Sequence, residues 1–407
     1  MKDRMRWMTK LRPAVAAAVL LCGTAYAGEQ ELLDKIKALE QRVAQLEGSA
    51  LTTNTLPAQT LAFLGKSTLS GYVSSSFFHN FNDSAPVGGY VNKNDQFAAN
   101  KLKLALGKPV DYNKDKFDIG YRADLIVGED AKFINSFTSG LGSGRDPICL
   151  EQAYVNINVP IGNGLKVAIG KMVTLMGVEV VEETANPNWT LGNQFLYVEN
   201  TSQVGALLSY KFNDKVEVQA AVFNGWDKVT DNNSGYSYMG KINLTLSDKT
   251  SISLLGYGGP EQTGNTSSWR KGGEVIVTQK VGSKLTLYGQ LDYGTEDNAA
   301  HPVSGTVAKA EWYGAGLWGV YQFTDKVGLA LRGDYIVDDG ATRTGAGPAG
   351  SSPNVASLTA TLSLTPLPNL QVRPEIRWDH CEKEPFTSGN TAKSDQVLLG
   401  VGVAYVF

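Results

Sequence analysis

The chain ends on Val397-Leu-Leu-Gly-Val-Gly-Val-Ala-Tyr-Val-Phe407, and this stretch decides the fold. Every second residue from Val397 to Phe407 is large and apolar, whereas several of the residues between them are small. Successive side chains of a β-strand point to opposite faces, so one face of this strand is apolar along its whole length. An exposed apolar strand would promote aggregation of a soluble protein. In a closed barrel the strand pairs with the first strand and turns its apolar face to lipid, so the stretch predicts a transmembrane β-barrel.

The first residues predict export. Basic residues occupy five positions between Lys2 and Arg12, an apolar stretch covers 14–21, and Ala25-Tyr-Ala27 has the small-x-small pattern of a cleavage site. This order is typical of a secretory signal peptide, here residues 1–27, and the apolar stretch is too short to span a bilayer. Lipid attachment at Cys22 is the alternative, which the large Leu21 before it disfavours. Cleavage would leave a net charge of −7 instead of −3.

A helical period follows. Within residues 28–48, apolar side chains recur at alternating intervals of four and three, at Leu32, Ile36, Leu39, Val43 and Leu46. This spacing predicts a short periplasmic coiled coil. A single amphipathic helix lying on the barrel or on the membrane is the alternative, because the segment is too short for an isolated pair of helices to be stable. Residues 49–66 contain Gly, Ser, Thr and Pro and read as a linker.

From residue 67 onward, alternating apolar and polar stretches are joined in turn by short turns and by longer polar loops. Short turns are predicted at 112–115, 161–164, 213–215, 247–249, 281–283, 324–326 and 366–369. Longer loops are predicted at 82–96, 128–147, 178–200, 227–235, 259–270, 294–308, 338–353 and 380–394. Seven turns and eight loops connect sixteen strands. The sequence thus predicts an all-β fold, an antiparallel barrel of about sixteen strands over 67–407, preceded by the short coiled coil.

Charged and aromatic residues support this arrangement. In 116–127, 284–293, 326–337 and 370–379, apolar residues alternate with charged or amide residues. An Arg or Lys facing lipid at mid-depth costs about 2–4 kcal/mol, so the charged face must point inwards. Aromatic rings suit the headgroup level and should form two girdles. The lower girdle would contain Phe117, Tyr210, Phe212, Tyr321, Phe323, Tyr405 and Phe407, and the upper one Trp226, Tyr293, Tyr313, Tyr335 and Trp378.

Three short motifs then suggest a family: Gly170-Lys-Met-Val-Thr-Leu-Met-Gly-Val-Glu179, Asn186-Pro-Asn188 and Val222-Phe-Asn-Gly-Trp-Asp227. With them, residues 67–407 resemble Gram-negative porins, and most of all the putative β-barrel porin-2, or OmpL-like, family. The terminal Phe407 likewise resembles the signal through which the barrel-assembly machinery handles outer-membrane barrels. The resemblance implies an outer-membrane location, contact with lipid, and passive diffusion of small hydrophilic solutes or ions through a water-filled barrel. It also implies a homo-oligomer, with a trimer favoured, and a constriction loop after the fifth or sixth strand.

The loop at 178–200 follows the fifth predicted strand and is the longest. It carries Glu179, Glu182 and Glu183, and we expect it either to narrow the lumen, with these carboxylates opposite wall cations, or to form an ordinary external loop. The predicted pore-lining residues are Lys101, Lys103, Arg122, Asp124, Lys166, Lys241, Asp292, Arg332, Asp334, Arg373, Glu375 and Arg377, with Asp118, Glu217 and Asp379 as further wall anions. Each could be solvated or in a cross-strand ion pair. Both signs are interleaved, so the pattern indicates no ion preference.

Catalytic and metal-binding readings find little support. The sequence contains three His, and it has no Gly-x-Ser-x-Gly, His-Glu-x-x-His or phosphate-binding glycine motif. A metal site at Asp379-His380-Cys381 with His79 is conceivable, but a free thiol beside a loop His is the simpler reading. We expect no Cys149–Cys381 disulfide, because the two strands are not neighbours. We therefore predict a protein that is not an enzyme and has no cofactor, metal or nucleic-acid partner. The alternative function is a non-conducting barrel acting as scaffold, adhesin or sheath.

Overall fold

The computed structural model describes Gln41 and residues 66–82, 93–137 and 146–407. The predicted signal peptide (1–27), coiled coil (28–48) and linker (49–66) lie outside the described residues, apart from Gln41 and Lys66. Within the described ranges, no helix is both long and apolar enough to cross a membrane.

Sixteen antiparallel strands close into one barrel, as predicted. They are β1 (Thr68–Asn80), β2 (Gln96–Lys108), β3 (Asp118–Val127), β4 (Ile148–Val159), β5 (Leu165–Val173), β6 (Ser202–Asn213), β7 (Val216–Phe223), β8 (Ser237–Thr245), β9 (Thr250–Pro260), β10 (Trp269–Val281), β11 (Leu285–Ala300), β12 (Val307–Thr324), β13 (Val327–Asp339), β14 (Asn354–Leu367), β15 (Leu370–Cys381) and β18 (Asp395–Val406). Two short strands, β16 (Phe386–Ser388) and β17 (Thr391–Lys393), pair only with each other in the last loop. The described helices are α1 (Glu129–Phe137) and a π-helical turn (Gln194–Val198).

The terminal strand closes the barrel. β18 pairs with β1 in a register that places Val401 opposite Phe77 and Tyr405 opposite Val73. Backbone hydrogen bonds of 2.8 and 2.9 Å join Phe407 to Gly71 and extend the pairing to the end of the chain. Closure leaves the sheet without an edge, and this satisfies the backbone groups that lipid could not.

The two faces of the terminal strand lie in different environments. Leu399 is 48% exposed and Tyr405 is 51% exposed on the outside, whereas Leu398 and Ala404 on the inside are buried. The same alternation occurs in β3, β11, β13 and β15, whose charged or amide side chains point inwards as predicted. The outer face is therefore apolar, and the inner face carries the charges.

The predicted short turns lie at one end of the barrel, which we call the turn end. The predicted longer loops lie at the opposite end, which we call the loop end. The loop predicted at 294–308 is wrong in extent, because β11 and β12 continue through much of it and still pair at Ala300 and Val307. Polar residues such as Glu296 indicated a loop. Strands that project beyond the bilayer need no apolar face, so polarity does not mark their ends.

The aromatic girdles are found with one exception. Phe117, Phe212, Phe323, Tyr405 and Phe407 are exposed towards the turn end, and Tyr293, Tyr313 and Tyr335 towards the loop end. Trp226, predicted for the upper girdle, is buried in the β7–β8 loop and packs edge-on against Tyr257, with ring centroids 5.1 Å apart. Its position just beyond a strand end does not reveal that the loop turns inwards.

We expect a charged side chain on the outer face of β12 to destabilise the barrel. Leu317 lies in mid-strand and is 71% exposed. Leu317→Arg should lower the free energy of unfolding by about 2–4 kcal/mol, measured by urea titration in phospholipid vesicles, because the guanidinium would face hydrocarbon. Leu317→Met is the matched control and should change little. An unchanged midpoint for the Arg variant would contradict the assignment of this face to lipid.

Candidate functional site

The segment between β5 and β6, residues 174–201, enters the barrel, and we call it the inserted loop. Most of its residues are buried. Its side chains and backbone form hydrogen bonds to inward-facing residues of strands that are distant in sequence, including β1, β2, β11, β13 and β15. Such contacts are possible only across the lumen, so the segment is not an ordinary external loop.

Three arginines of β13 and β15 hold the loop backbone. The Nη1 atom of Arg332 donates to the carbonyl of Thr190 at 2.6 Å. Arg373 donates from Nη1 to the carbonyl of Glu183 at 2.6 Å, and from Nη2 to two further loop carbonyls. Arg377 donates to the carbonyl of Leu191 at 2.6 Å. Carbonyl groups buried away from water must find donors, and these arginines supply them.

Wall carboxylates accept from the loop on the same side. Glu375 accepts the backbone N–H groups of Trp189 at 2.7 Å and Thr190 at 3.1 Å. Asp334 accepts from the side-chain amide of Asn193 at 2.8 Å. Arg332 also bridges Glu179 of the loop, at 2.6 Å, and Asp334 of its own strand, at 3.3 Å. Cations and anions of the wall therefore alternate because the loop backbone presents both acceptors and donors.

The other two loop carboxylates meet lysines of β2. Lys101 Nζ lies 2.5 Å from Glu183 and donates to the carbonyl of Val181 at 2.9 Å. Tyr72 and Ser74 of β1 also donate to Glu183. Lys103 pairs with Glu182 of the loop, and with Glu151 of β4 at 2.6 Å and Asp124 of β3 at 3.2 Å.

The inner face of the terminal strand receives the largest loop side chain. Trp189 is fully buried, and a Cβ atom at Gly402 would lie 2.1 Å from its indole ring. The ring packs in a cluster with Phe78, Leu398 and Ala404. Only glycine at 402 allows the indole to approach the wall so closely.

Helix α1 fills the loop end beside the inserted loop, and the sequence reading missed it. Ala131 and Ile134 of α1 pack against Leu191, Phe195 and Leu196 of the inserted loop. The acidic pair Glu129-Asp130 in the first turn was a usable helix-start signal, since carboxylates stabilise helix N-termini. The polar loop predicted at 128–147 in fact contains this helix. Asp130 also accepts from Asn100 of β2 at 3.0 Å.

The structure thus brings most of the predicted lining residues into contact with the loop or its partners and buries them. Arg122, Lys166 and Lys241 differ, because each is partly exposed. Arg122 has a side chain 41% exposed and pairs with Asp124 at 2.8 Å. Lys166 lies over the ring of Tyr112 at 4.6 Å and lines a cavity of about 200 Å³ together with Tyr154 and Ser209. Lys241 donates to the carbonyl of Leu175 at 2.6 Å.

The remaining wall anions and the His and Cys residues form no common site. Asp118 pairs with Lys108 near the turn end, Glu217 is half-buried, and Asp379 pairs with Arg377. His79 and His380 are hydrogen-bonded to different partners, Asp95 at 2.8 Å and Asp395 at 2.9 Å. Cys149 and Cys381 are free, buried thiols in separate apolar clusters.

Comparison with known sequences decides the family. The profile of the family described as putative beta-barrel porin-2, OmpL-like, matches residues 66–407. The chain belongs to this family. It is accordingly an outer-membrane channel protein of the Gram-negative type, as its sequence predicts. No curated relative matches it.

Solved structures share the fold of this OmpL-like porin at low identity. DcaP, the outer membrane channel of Acinetobacter baumannii, has a TM-score of 0.56 and 13% identity over 84% of this chain and 97% of that chain. OmpT of Vibrio cholerae in its trimer form has a TM-score of 0.57 and 11% identity, with coverages of 84% and 99%. An anion-selective porin from Comamonas acidovorans has a TM-score of 0.57 and 11% identity over 84% of this chain and 99% of that chain.

Breaking the central anchor of the loop should destabilise the barrel. Arg332→Ala leaves Glu179 and Asp334 buried without their cation, a change that costs about 3–5 kcal/mol in comparable buried pairs. The measurement is urea unfolding of the refolded protein in detergent micelles, followed by tryptophan fluorescence. Lys211→Ala, which removes an ion pair exposed at a turn, is the control and should leave the midpoint unchanged. Equal midpoints for the two variants would show that the loop is not held as described.

Proposed function

We propose that this porin is a narrow channel in which small hydrophilic solutes and ions pass between the inserted loop and the wall formed by β3–β6. The observation that carries the proposal is the unequal anchoring of the loop. Its ion pairs and arginine contacts lie on β13, β15 and β2. On the β7–β9 side, Lys241 of β8 donates to the carbonyl of Leu175 and apolar side chains pack against the loop. The wall opposite holds the partly exposed Arg122 and Lys166 and the cavity beside them.

The inserted loop sets the size limit in this proposal. Met172 of β5, Met239 of β8 and Leu255 of β9 are buried. The first arm of the loop, by which we mean the residues directly after β5, therefore lies close to this part of the wall. Met176 of that arm packs in the same apolar cluster as Met239 and Leu255. A passage restricted in this way supports a small conductance and exclusion of bulky solutes.

Assembly belongs to the same proposal. We infer a homotrimer, supported by the trimer form described for OmpT of Vibrio cholerae, whose fold this chain shares. The apolar outer face of the barrel supports direct contact with membrane lipid, and the exposed terminal aromatic Phe407 supports recognition by the barrel-assembly machinery. The diffusion role needs no chemical step, so we also propose that the protein is not an enzyme.

Single-channel recording in a planar bilayer tests the channel. We expect small, regular current steps for the mature protein, and larger or noisier steps for Arg373→Ala, which frees three loop carbonyls from the wall. Lys211→Ala at a turn should behave like the unaltered protein. Correctly folded barrels, shown by heat-modifiable migration on gels, that insert without conducting would refute the channel and favour a scaffold.

The partly exposed lysine on the passage side should influence ion preference. Among the described residues, no carboxylate forms an ion pair with Lys166, so its charge acts on passing ions. Lys166→Glu should shift the reversal potential under a KCl gradient towards that of a cation-preferring channel. Lys108→Glu, whose native lysine pairs with Asp118 near the turn end, is the charge-matched control and should shift it less. An equal shift would place the passage elsewhere.

A further inference from the structure

A second set of charges lies where the inserted loop returns to the wall. Glu199 near the end of the loop, Glu274 of β10 and Asp292 of β11 each offer one carboxylate oxygen, and these three oxygens lie within 4.8 Å of one another. The three residues are only 4%, 2% and 6% exposed. We call them the return triad.

The register of the sheet and the loop bring these carboxylates together. Glu274 lies directly opposite Asp292 across the β10–β11 pair, where like charges destabilise a sheet. The amide nitrogen of Gln290, which has two N–H groups to donate, lies within hydrogen-bond distance of all three residues, at 2.6, 3.2 and 2.9 Å. A Cβ atom at Gly177, whose φ is +88°, would lie 2.1 Å from Glu199 Oε2, so glycine there makes room for the third carboxylate.

Hydrogen bonds leave part of the return triad unsatisfied. Glu199 Oε2, Glu274 Oε1 and Asp292 Oδ1 are buried and have no hydrogen-bond partner. Nor does any Lys or Arg nitrogen of the described residues lie within 4.0 Å of a return-triad oxygen. Lys241 on β8, two strands away from β10, donates instead to the carbonyl of Leu175. Three carboxylates so close together in a buried site are costly when they are ionised, and each buried oxygen without a donor adds to that cost.

The same barrel shows how such a cluster looks when a cation completes it. Asp124, Glu151 and Glu182 form a triad of the same size, with oxygens also within 4.8 Å of one another. Lys103 Nζ lies among them and pairs with all three. In the return triad the neutral amide of Gln290 takes the place of this ammonium group, so the three carboxylates have a hydrogen-bond donor among them but no positive charge.

We propose that the return triad binds one Ca²⁺ ion. Hard divalent cations take carboxylate and amide oxygens, and Ca²⁺ tolerates irregular sites with several ligands. A fourth oxygen is at hand, because the amide of Gln194 donates to Asp292 at 2.8 Å and its buried Oε1 has no partner. A half-turn of that amide exchanges its nitrogen for this oxygen.

The ion would fasten the end of the inserted loop, at Glu199, to the wall. Glu199 belongs to the loop, whereas Glu274 and Asp292 belong to adjacent strands, so one Ca²⁺ links all three elements. The arginines already hold the middle of the loop at β13 and β15. Calcium would therefore act on the position of the loop.

Calcium binding can be measured directly on the full-length barrel, refolded in detergent and freed of metal with EDTA. Titration calorimetry with CaCl₂ should show one saturable site per chain. The double variant Glu274→Gln/Asp292→Asn keeps the shape of the site and should weaken binding at least tenfold. Glu182→Gln, in the triad that Lys103 completes, is the matched control and should bind as the unaltered protein does.

A second readout separates binding from misfolding. Calcium should raise the urea midpoint of the unaltered protein and of Glu182→Gln, and leave that of the double variant unchanged, because only the native state holds the site. Absence of saturable binding, with normal midpoints, would overturn the proposal and indicate carboxyls that share protons instead. Binding retained by the double variant would equally overturn it, by placing the ion elsewhere.

Discussion

The structure depends on one constraint: a loop buried inside a membrane barrel must find a hydrogen-bond partner for nearly every backbone polar group. A closed sheet satisfies its own backbone, but residues 174–201 are irregular and cannot do so. The inner wall provides the missing donors and acceptors through Arg332, Arg373, Glu375 and Arg377. Charges that would be prohibitive on the outer face are thereby required on the inner one.

The same constraint explains why so many charges are buried rather than solvated. A charged hydrogen bond is stronger than a neutral one, and a guanidinium can bind two or three carbonyls at once, as Arg373 does. Lysine serves at β2, where Lys101 and Lys103 meet loop carboxylates as point charges. Most of the wall charges therefore hold the inserted loop in place, and in the channel that we propose only those left partly exposed, such as Lys166, act directly on ions.

Much of the barrel could be predicted from sequence because its determinants are local. Alternation within one strand fixes which face meets lipid, and Asn, Asp, Gly and Pro mark the turns, so the number of strands followed. The length of 178–200 and its carboxylates also indicated which loop could enter the lumen. Its partners could not be predicted, since Glu179 meets Arg332 only after eight further strands are in place. The inward position of Trp226 could not be predicted for the same reason, because it depends on packing against Tyr257 and the inserted loop. Helix α1 is different, because the acidic pair in its first turn is a local signal from which it could have been predicted.

The terminal strand unites these points. Its outer residues form part of the apolar outer face of the barrel. The small residues between them have a structural role as well, because Gly402 leaves space for Trp189 of the inserted loop. The neighbouring β15 carries Arg373, Glu375 and Arg377, so the site that receives the loop is complete only when the last strands have paired. The loop lies some two hundred residues upstream in the chain. The stretch that decides the fold is therefore also part of the wall that the inserted loop packs against.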